Sequence, residues 1–264
     1  MNRIEETFQK LNEKGEKAFI TYMTAGLPNM EGTKRIIHTQ EEAGTDIIEL
    51  GIPFSDPVAD GPVIQAASYK SILQGTNIRK VLSAVGEVRR EGSQIPIVFM
   101  MYFNTILHYG IEAFARDCAS AGVDGLIVPD LPFEEQGELR EALENTENAP
   151  LIIQLVAPVS KQRIPKILDQ ARGFVYCVSS MGVTGQAGSF HRDVLEYLSE
   201  VKRVSKIPVM MGFGIRTAKD VEPMKDIIDG AIVGTHFINL MEESGYSTEA
   251  VREYCSRFKR ELNA

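Results

Sequence analysis

Short apolar runs recur along the chain at residues 18–25 (AFITYMTA), 46–51 (DIIELG), 95–102 (IPIVFMMY) and 125–130 (GLIVPD). Four more follow at 150–157 (PLIIQLVA), 173–180 (GFVYCVSS), 207–214 (IPVMMGFG) and 230–236 (GAIVGTH). Most are continuously apolar rather than alternating, the pattern of strands covered on both faces in a parallel sheet. Helical spacing lies between them. Ile111, Phe114, Ala115 and Cys118 fall at i, i+3, i+4 and i+7, an amphipathic stripe. Val194, Leu198 and Val201 keep similar spacing, as do Val251, Tyr254, Cys255, Phe258 and Leu262. Ile4, Phe8 and Leu11 predict an extra helix ahead of the first strand. The longest gap follows the second strand, where helical stretches at about 62–74 and 78–91 fill it.

Eight strands, most followed by a helical stretch, predict an α/β fold: a (β/α)8 TIM barrel with an extra N-terminal helix. An open doubly wound sheet is the alternative, but its G-x-G-x-x-G after the first strand is missing. No linker, charge block or low-complexity tract interrupts the chain, so residues 1–264 are expected to form one domain.

Composition narrows the function. With 44% hydrophobic and 24% charged residues, the chain has an ordinary globular balance and enough length for a large core. A net charge of −8 without a basic stripe argues against a nucleic-acid partner. The charged N-terminus and the short apolar run after it suit neither a membrane span nor a signal peptide, so a cytoplasmic location is expected. The three cysteines have no C-x-x-C spacing and sit in apolar segments, as small core residues in a reducing compartment do. The four histidines show no metal-ligand spacing. No metal and no bound cofactor are expected in this chain.

Barrel enzymes build their sites where strands end and βα loops begin. Glu49 lies near the end of the second strand. Facing the interior, it would carry a desolvation penalty that raises its pKa toward the range useful for proton transfer. Facing outward, it would be a solvated strand-end acid, and both readings stay open on fold logic alone. Asp60, ahead of Gly61-Pro62, reads most simply as a helix cap, and Asp56, ahead of Pro57, as a turn former. Pro53, Pro57 and Pro62 each fix φ, which stiffens the intervening loop and lowers the cost of presenting side chains such as Phe54. Glycine-bearing turns follow the last three strands: SSMGVTGQAGS (179–189), GFGI (212–215) and GTH (234–236). Their placement predicts a phosphate cradle, and the first is long enough to serve as a lid. Asp130, Tyr102 and Tyr176 also lie in or at the ends of strands, with structural roles equally open.

IELGIPFSDPVADGPVIQ closely resembles the signature of the tryptophan synthase alpha chain family, and AFITYMTAGLP, GVDGLIVPDLP, GVTG, GFGI and GAIVGT match the same family in order and spacing. The resemblance implies a barrel that cleaves indole-3-glycerol phosphate to indole and glyceraldehyde 3-phosphate. It implies a beta chain partner in an alpha2beta2 heterotetramer, with pyridoxal phosphate only in that partner. On it, Glu49 is the general acid/base and Asp60 its partner at the indole. The phosphate lies against Gly185, Gly214, Gly234 and Thr235. Tyr22, Met100, Ile127, Tyr176, Thr184, Phe213 and Ile232 line the indole pocket, and Pro53, Phe54, Asp56 and Pro57 face the beta chain. Tyr22 stands where the family form is phenylalanine, and Leu27 where it is an acid. A stand-alone indole-releasing lyase and an activating subunit with little chemistry of its own are the alternatives. Another phosphosugar barrel enzyme fits less well: paired metal ligands and a Schiff-base lysine context are missing, and Lys206 lies at the wrong end of its strand.

Overall fold

A computed structural model describes residues 1–178, 187–212 and 214–264, the side chains of 187–191 excepted. Its strands, in chain order, are β1 (Ala18–Thr24), β2 (Ile47–Gly51), β3 (Ile97–Met100), β4 (Gly125–Ile127), β5 (Leu151–Ile152), β6 (Gln154–Val156), β7 (Val175–Cys177), β8 (Val209–Met211) and β9 (Gly230–Val233). They form one sheet in the order β5-β4-β3-β2-β1-β9-β8-β7-β6. Every pairing is parallel. The eight expected strands are all present, with one change: the fifth is divided at Ile153 into β5 and β6. β5 pairs back to β4 and β6 pairs forward to β7. Ile153 N–H still donates to Leu126 O at 2.9 Å and Val178 N–H to Val156 O at 2.9 Å. One chain segment therefore closes the barrel, as the TIM architecture requires.

Side-chain parity follows from the strand period of two. Ile20, Ile47, Val98, Ile127, Ile153, Tyr176, Met210 and Ile232 pack together inside the barrel. Phe19, Met23, Ile48, Leu50, Ile97, Phe99 and Leu126 pack into the shell under the helices. Both faces of each strand are thus dry, which is why the runs read as continuously apolar.

The expected N-terminal helix spans Arg3–Lys14. Asn2 caps it, accepting from Ile4 N–H, and Glu5 completes a capping box. Its buried stripe of Ile4, Phe8 and Leu11 joins the interior cluster rather than the outer shell, with Phe8 5.9 Å from Phe174 between ring centres. The helix plugs the N-terminal end of the barrel. The helices after β2 occupy Pro62–Leu73 and Ile78–Arg90, within a residue of their expected bounds. After β8, single 3-10 turns at Ala218–Asp220 and Glu222–Met224 take the place of an α-helix. Among the described residues no helix is long and apolar enough to cross a membrane.

Three aspartates fasten the plugged end by a repeated device. Asp46, Asp124 and Asp229 each stand just ahead of a strand and accept the N–H of a residue at the start of the preceding strand. These donors are Phe19 at 2.7 Å, Ile97 at 2.9 Å and Val209 at 2.7 Å. A cation neutralises each: Lys259 at 2.9 Å for Asp46, Arg89 at 2.7 Å with Arg3 at 2.9 Å for Asp124, and Lys202 at 2.6 Å for Asp229. A cavity of about 990 Å³ opens beside the Asp124 cluster. The charges of that cluster are spent on one another, which marks it as scaffold.

Candidate active site

Glu49 is the third residue of β2 and faces the interior. It shares parity with Ile47, which lies in the interior cluster, and its register neighbours are Tyr22 on β1 and Val98 on β3. The outward alternative is thereby removed. Glu49 is 0% exposed, and neither carboxylate oxygen has a hydrogen-bond partner among the described residues. Burial without a partner pushes its pKa up to about 8. The group therefore carries a proton at neutral pH, in a wall otherwise built of apolar and tyrosyl side chains.

Asp60 does not cap the helix that follows it. Gly61 is the N-cap of Pro62–Leu73, and no side chain bonds to the open N–H groups there. The Asp60 carboxyl instead lies near enough to Tyr22, Tyr102 and Tyr176 for its charge to raise the pKa of each hydroxyl. Desolvation raises its pKa to about 6, and a hydrogen bond from Tyr102 works against that rise. Two carboxyl groups at one barrel mouth thus have separated titrations, Asp60 ionised and Glu49 neutral near pH 7. Such a separation is how one site assigns an anion and an acid to neighbouring carboxyls.

Two glycines make room for the tyrosines. A Cβ on Gly51 would collide with the Tyr22 hydroxyl, and a Cβ on Gly212 with that of Tyr176. Each ring lies across the backbone of an adjacent strand, and any larger residue at position 51 or 212 would push it into the site. The sequence pattern marks both glycines only as strand-end turns. Thr24, two residues beyond Tyr22 on the same face of β1, is buried, and its hydroxyl has no partner among the described residues. Sequence reasoning missed it; strand parity with Ile20 was the available signal.

The other expected pocket residues sort as follows. Tyr22, Met100, Ile127, Tyr176 and Ile232 all sit on the interior parity of their strands, Met100 half-buried and the rest buried. Thr184 and Phe213 lie outside the described residues, as do Gly185 and Met181. Gly234 is the N-cap of the helix Thr235–Glu243 and has no side-chain cap. The open N–H groups and dipole of that helix face the barrel mouth, a suitable anion seat. Gly214 adopts a left-handed φ of 68° in the neighbouring loop. Among the described residues no group of three or more His, Cys, Asp or Glu is placed to hold a metal ion.

The proline loop rises from β2 beside the mouth. Asp56 is exposed and accepts from the Ser55 hydroxyl at 2.6 Å. Pro53 and Phe54 are half-buried, and Pro57 is buried. Ser68 on the following helix grips Phe54, accepting its N–H at 2.8 Å and donating to its carbonyl at 2.9 Å.

Comparisons with known proteins agree with this geometry. The family model described as "Tryptophan synthase alpha chain" matches residues 8–264. A tryptophan synthase alpha chain of Lachnospira eligens is 61% identical over 264 residues, covering 100% of both chains. One from a Thermoanaerobacter species is 43% identical, covering 96% of this chain and 95% of its own. The crystal structure of tryptophan synthase subunit alpha from Legionella pneumophila superposes with a TM-score of 0.88 at 32% identity, covering 99% of this chain and 98% of that one. A buried acid inside a plugged barrel, an open helix end beside it and a sequence match from residue 8 to the C-terminus lead to one conclusion: the chain belongs to the tryptophan synthase alpha chain family.

Proposed function

We propose that Glu49 is the general acid/base and Asp60 the indole-facing anion of the lyase reaction that this family performs. The chain is the indole-3-glycerol-phosphate lyase subunit of tryptophan biosynthesis. Its chemistry is a retro-aldol cleavage. Indole leaves poorly as a carbanion, so the ring carbon that bears the side chain must first gain a proton. Glu49, neutral at pH 7, gives it. Positive charge then develops at the ring nitrogen, where ionised Asp60 accepts the N–H. The Glu49 carboxylate next takes the proton of the side-chain hydroxyl. The carbon–carbon bond breaks, its electrons return to the ring, and indole and glyceraldehyde 3-phosphate result with Glu49 protonated again.

The observation that carries this reading is the inward, unpartnered Glu49 carboxyl, whose burial keeps it protonated. The plug of Ile4, Phe8 and Leu11 leaves the C-terminal mouth as the way in for substrate. Gly234 and Thr235, with Gly214 and Gly185, are proposed to seat the phosphate. Tyr22, Met100, Ile127, Tyr176, Thr184, Phe213 and Ile232 are proposed to hold the ring. The family's beta chain is the proposed partner in an alpha2beta2 assembly, docking on the Pro53, Phe54, Asp56 and Pro57 loop and receiving the indole. Exposed Val58, Tyr69, Leu73 and Leu107 lie in that loop and in helices that follow β2 and β3, and they support this face. Pyridoxal phosphate in the partner alone and a cytoplasmic location complete the proposal.

The test is to incubate the purified chain with indole-3-glycerol phosphate, with and without a beta chain, and to measure indole. Strong stimulation by the beta chain is expected, together with a Glu49→Gln variant that binds substrate and does not cleave it. High turnover without the partner would instead identify a stand-alone lyase. Normal cleavage by Glu49→Gln would overturn the assignment of Glu49.

A further inference from the structure

We propose that Tyr102 is a positioning residue that holds the 53–60 loop, and Asp60 with it, in place at the barrel mouth. Two contacts with the loop converge on this one side chain. Its ring stacks on Phe54, 5.1 Å between centres at 20°. Its hydroxyl oxygen accepts the Ala59 N–H at 2.9 Å. Ala59 is the chain neighbour of Asp60, so this bond also fixes the backbone from which the Asp60 carboxyl projects, and the Tyr102 hydroxyl lowers the Asp60 pKa.

Tyr102 is itself held firmly. It is buried, and it N-caps the helix Phe103–Tyr109 just past the end of β3. Asp130, in the loop after β4, accepts the Phe103 N–H at 2.9 Å and fixes the backbone beside it. Tyr102 and Asp130, two strand-end residues with no part in the lyase chemistry above, thus form a chain of contacts from β4 through β3 to the loop after β2.

The consequence is electrostatic as well as geometric. Burial drives Asp60 toward the neutral acid, and the Tyr102 hydroxyl is the group that opposes it. The other titratable groups coupled to Asp60 among the described residues are Tyr22 from β1 and Tyr176 from β7, and both are uncharged at neutral pH. Because Phe54 and Ala59 belong to the proposed docking loop, any partner that presses on it acts on Asp60 through the same tyrosine. This inference rests on Asp60 being the anion at the indole nitrogen.

Tyr102→Phe tests it, since the ring and its stacking remain and only the hydroxyl is lost. The substrate's phosphate also titrates near pH 6, so Asp60 is best followed directly, by carbon-13 NMR of its labelled carboxyl in the full chain. Its resonance is identified by its loss in Asp60→Asn. In the parent, Asp60 titrates near 6; in Tyr102→Phe it titrates roughly one pH unit higher. The kcat of the variant falls about ten-fold more at pH 6 than at pH 8, with KM little changed. An Asp60 titration identical in parent and variant, or a loss of kcat equal at all pH values, overturns the role of Tyr102. Asp60→Asn with the parent kcat overturns the reading of Asp60 itself, which is a separate outcome.

Discussion

At the scale of single residues, the proposed chemistry depends on a carboxyl left without a partner. Elsewhere in the chain buried acids are neutralised, as Asp124 is by Arg89 and Arg3. Glu49 has no such partner among the described residues and stays protonated up to about pH 8. That choice has a cost in stability with a definite sign. The folded-state value lies above the ordinary 4.5, so the native chain holds a proton that the unfolded chain releases. Its contribution is full below about pH 4.5 and is lost as pH rises through about 8. Glu49→Gln, which cannot ionise, should match the parent in urea unfolding near pH 4 and exceed it by roughly 3–5 kcal/mol at pH 9. The paired titrations also fix the shape of catalysis. In the proposed mechanism cleavage needs Asp60 ionised and Glu49 neutral, so kcat/KM should peak between about 6 and 8 and fall on both sides. A second prediction concerns Gly51. Its replacement by alanine should drive the Tyr22 ring into the pocket and lower kcat/KM by about ten-fold or more, while costing about 1–3 kcal/mol of stability.

At the scale of elements, the loop after β2 presents two different sides along eight residues. Its outer side, at Asp56 and Val58, is exposed, while its inner side is pinned by Ser68 and Tyr102. Asp56→Ala should therefore reduce stimulation by a beta chain, by about ten-fold if Asp56 is a central contact, with basal indole release and melting temperature unchanged. The elements themselves were largely legible in the chain. Apolar runs marked all eight strands, most of them continuous because the strands are covered on both faces. The break at Ile153 was not legible, because PLIIQLVA carries no glycine or proline inside it and the division comes from pairing with two different neighbours. Residue patterns alone pointed the wrong way at Asp60, and only the family resemblance suggested anything but a cap. An aspartate ahead of Gly-Pro fits a helix cap, and only the placement of Gly61 as the cap shows otherwise.

At the scale of the whole molecule, the barrel is fastened at one end and carries the proposed active site toward the other. The plugging helix and the Asp46, Asp124 and Asp229 clamps hold the N-terminal end, which frees the C-terminal end to carry an uncompensated acid. Asp124→Ala would leave the buried Arg89 guanidinium without its carboxylate and should destabilise the fold by about 3–5 kcal/mol. It should leave the pH limits of kcat/KM in place, since the Asp124 charge is paired with Arg89 and Arg3 and is not among the causes of the Glu49 or Asp60 shifts. The division of labour also explains why Glu49 stood open in the sequence: inward and outward positions on a strand covered on both faces look alike until the sheet closes. The most direct measurement is the titration of Glu49 itself, by carbon-13 NMR of its labelled side-chain carboxyl, assigned by its loss in Glu49→Gln. A midpoint near 8 is the expected result. A midpoint near the ordinary 4.5 would mean that Glu49 is already ionised at neutral pH and has no proton to give the indole ring, and the account would be wrong.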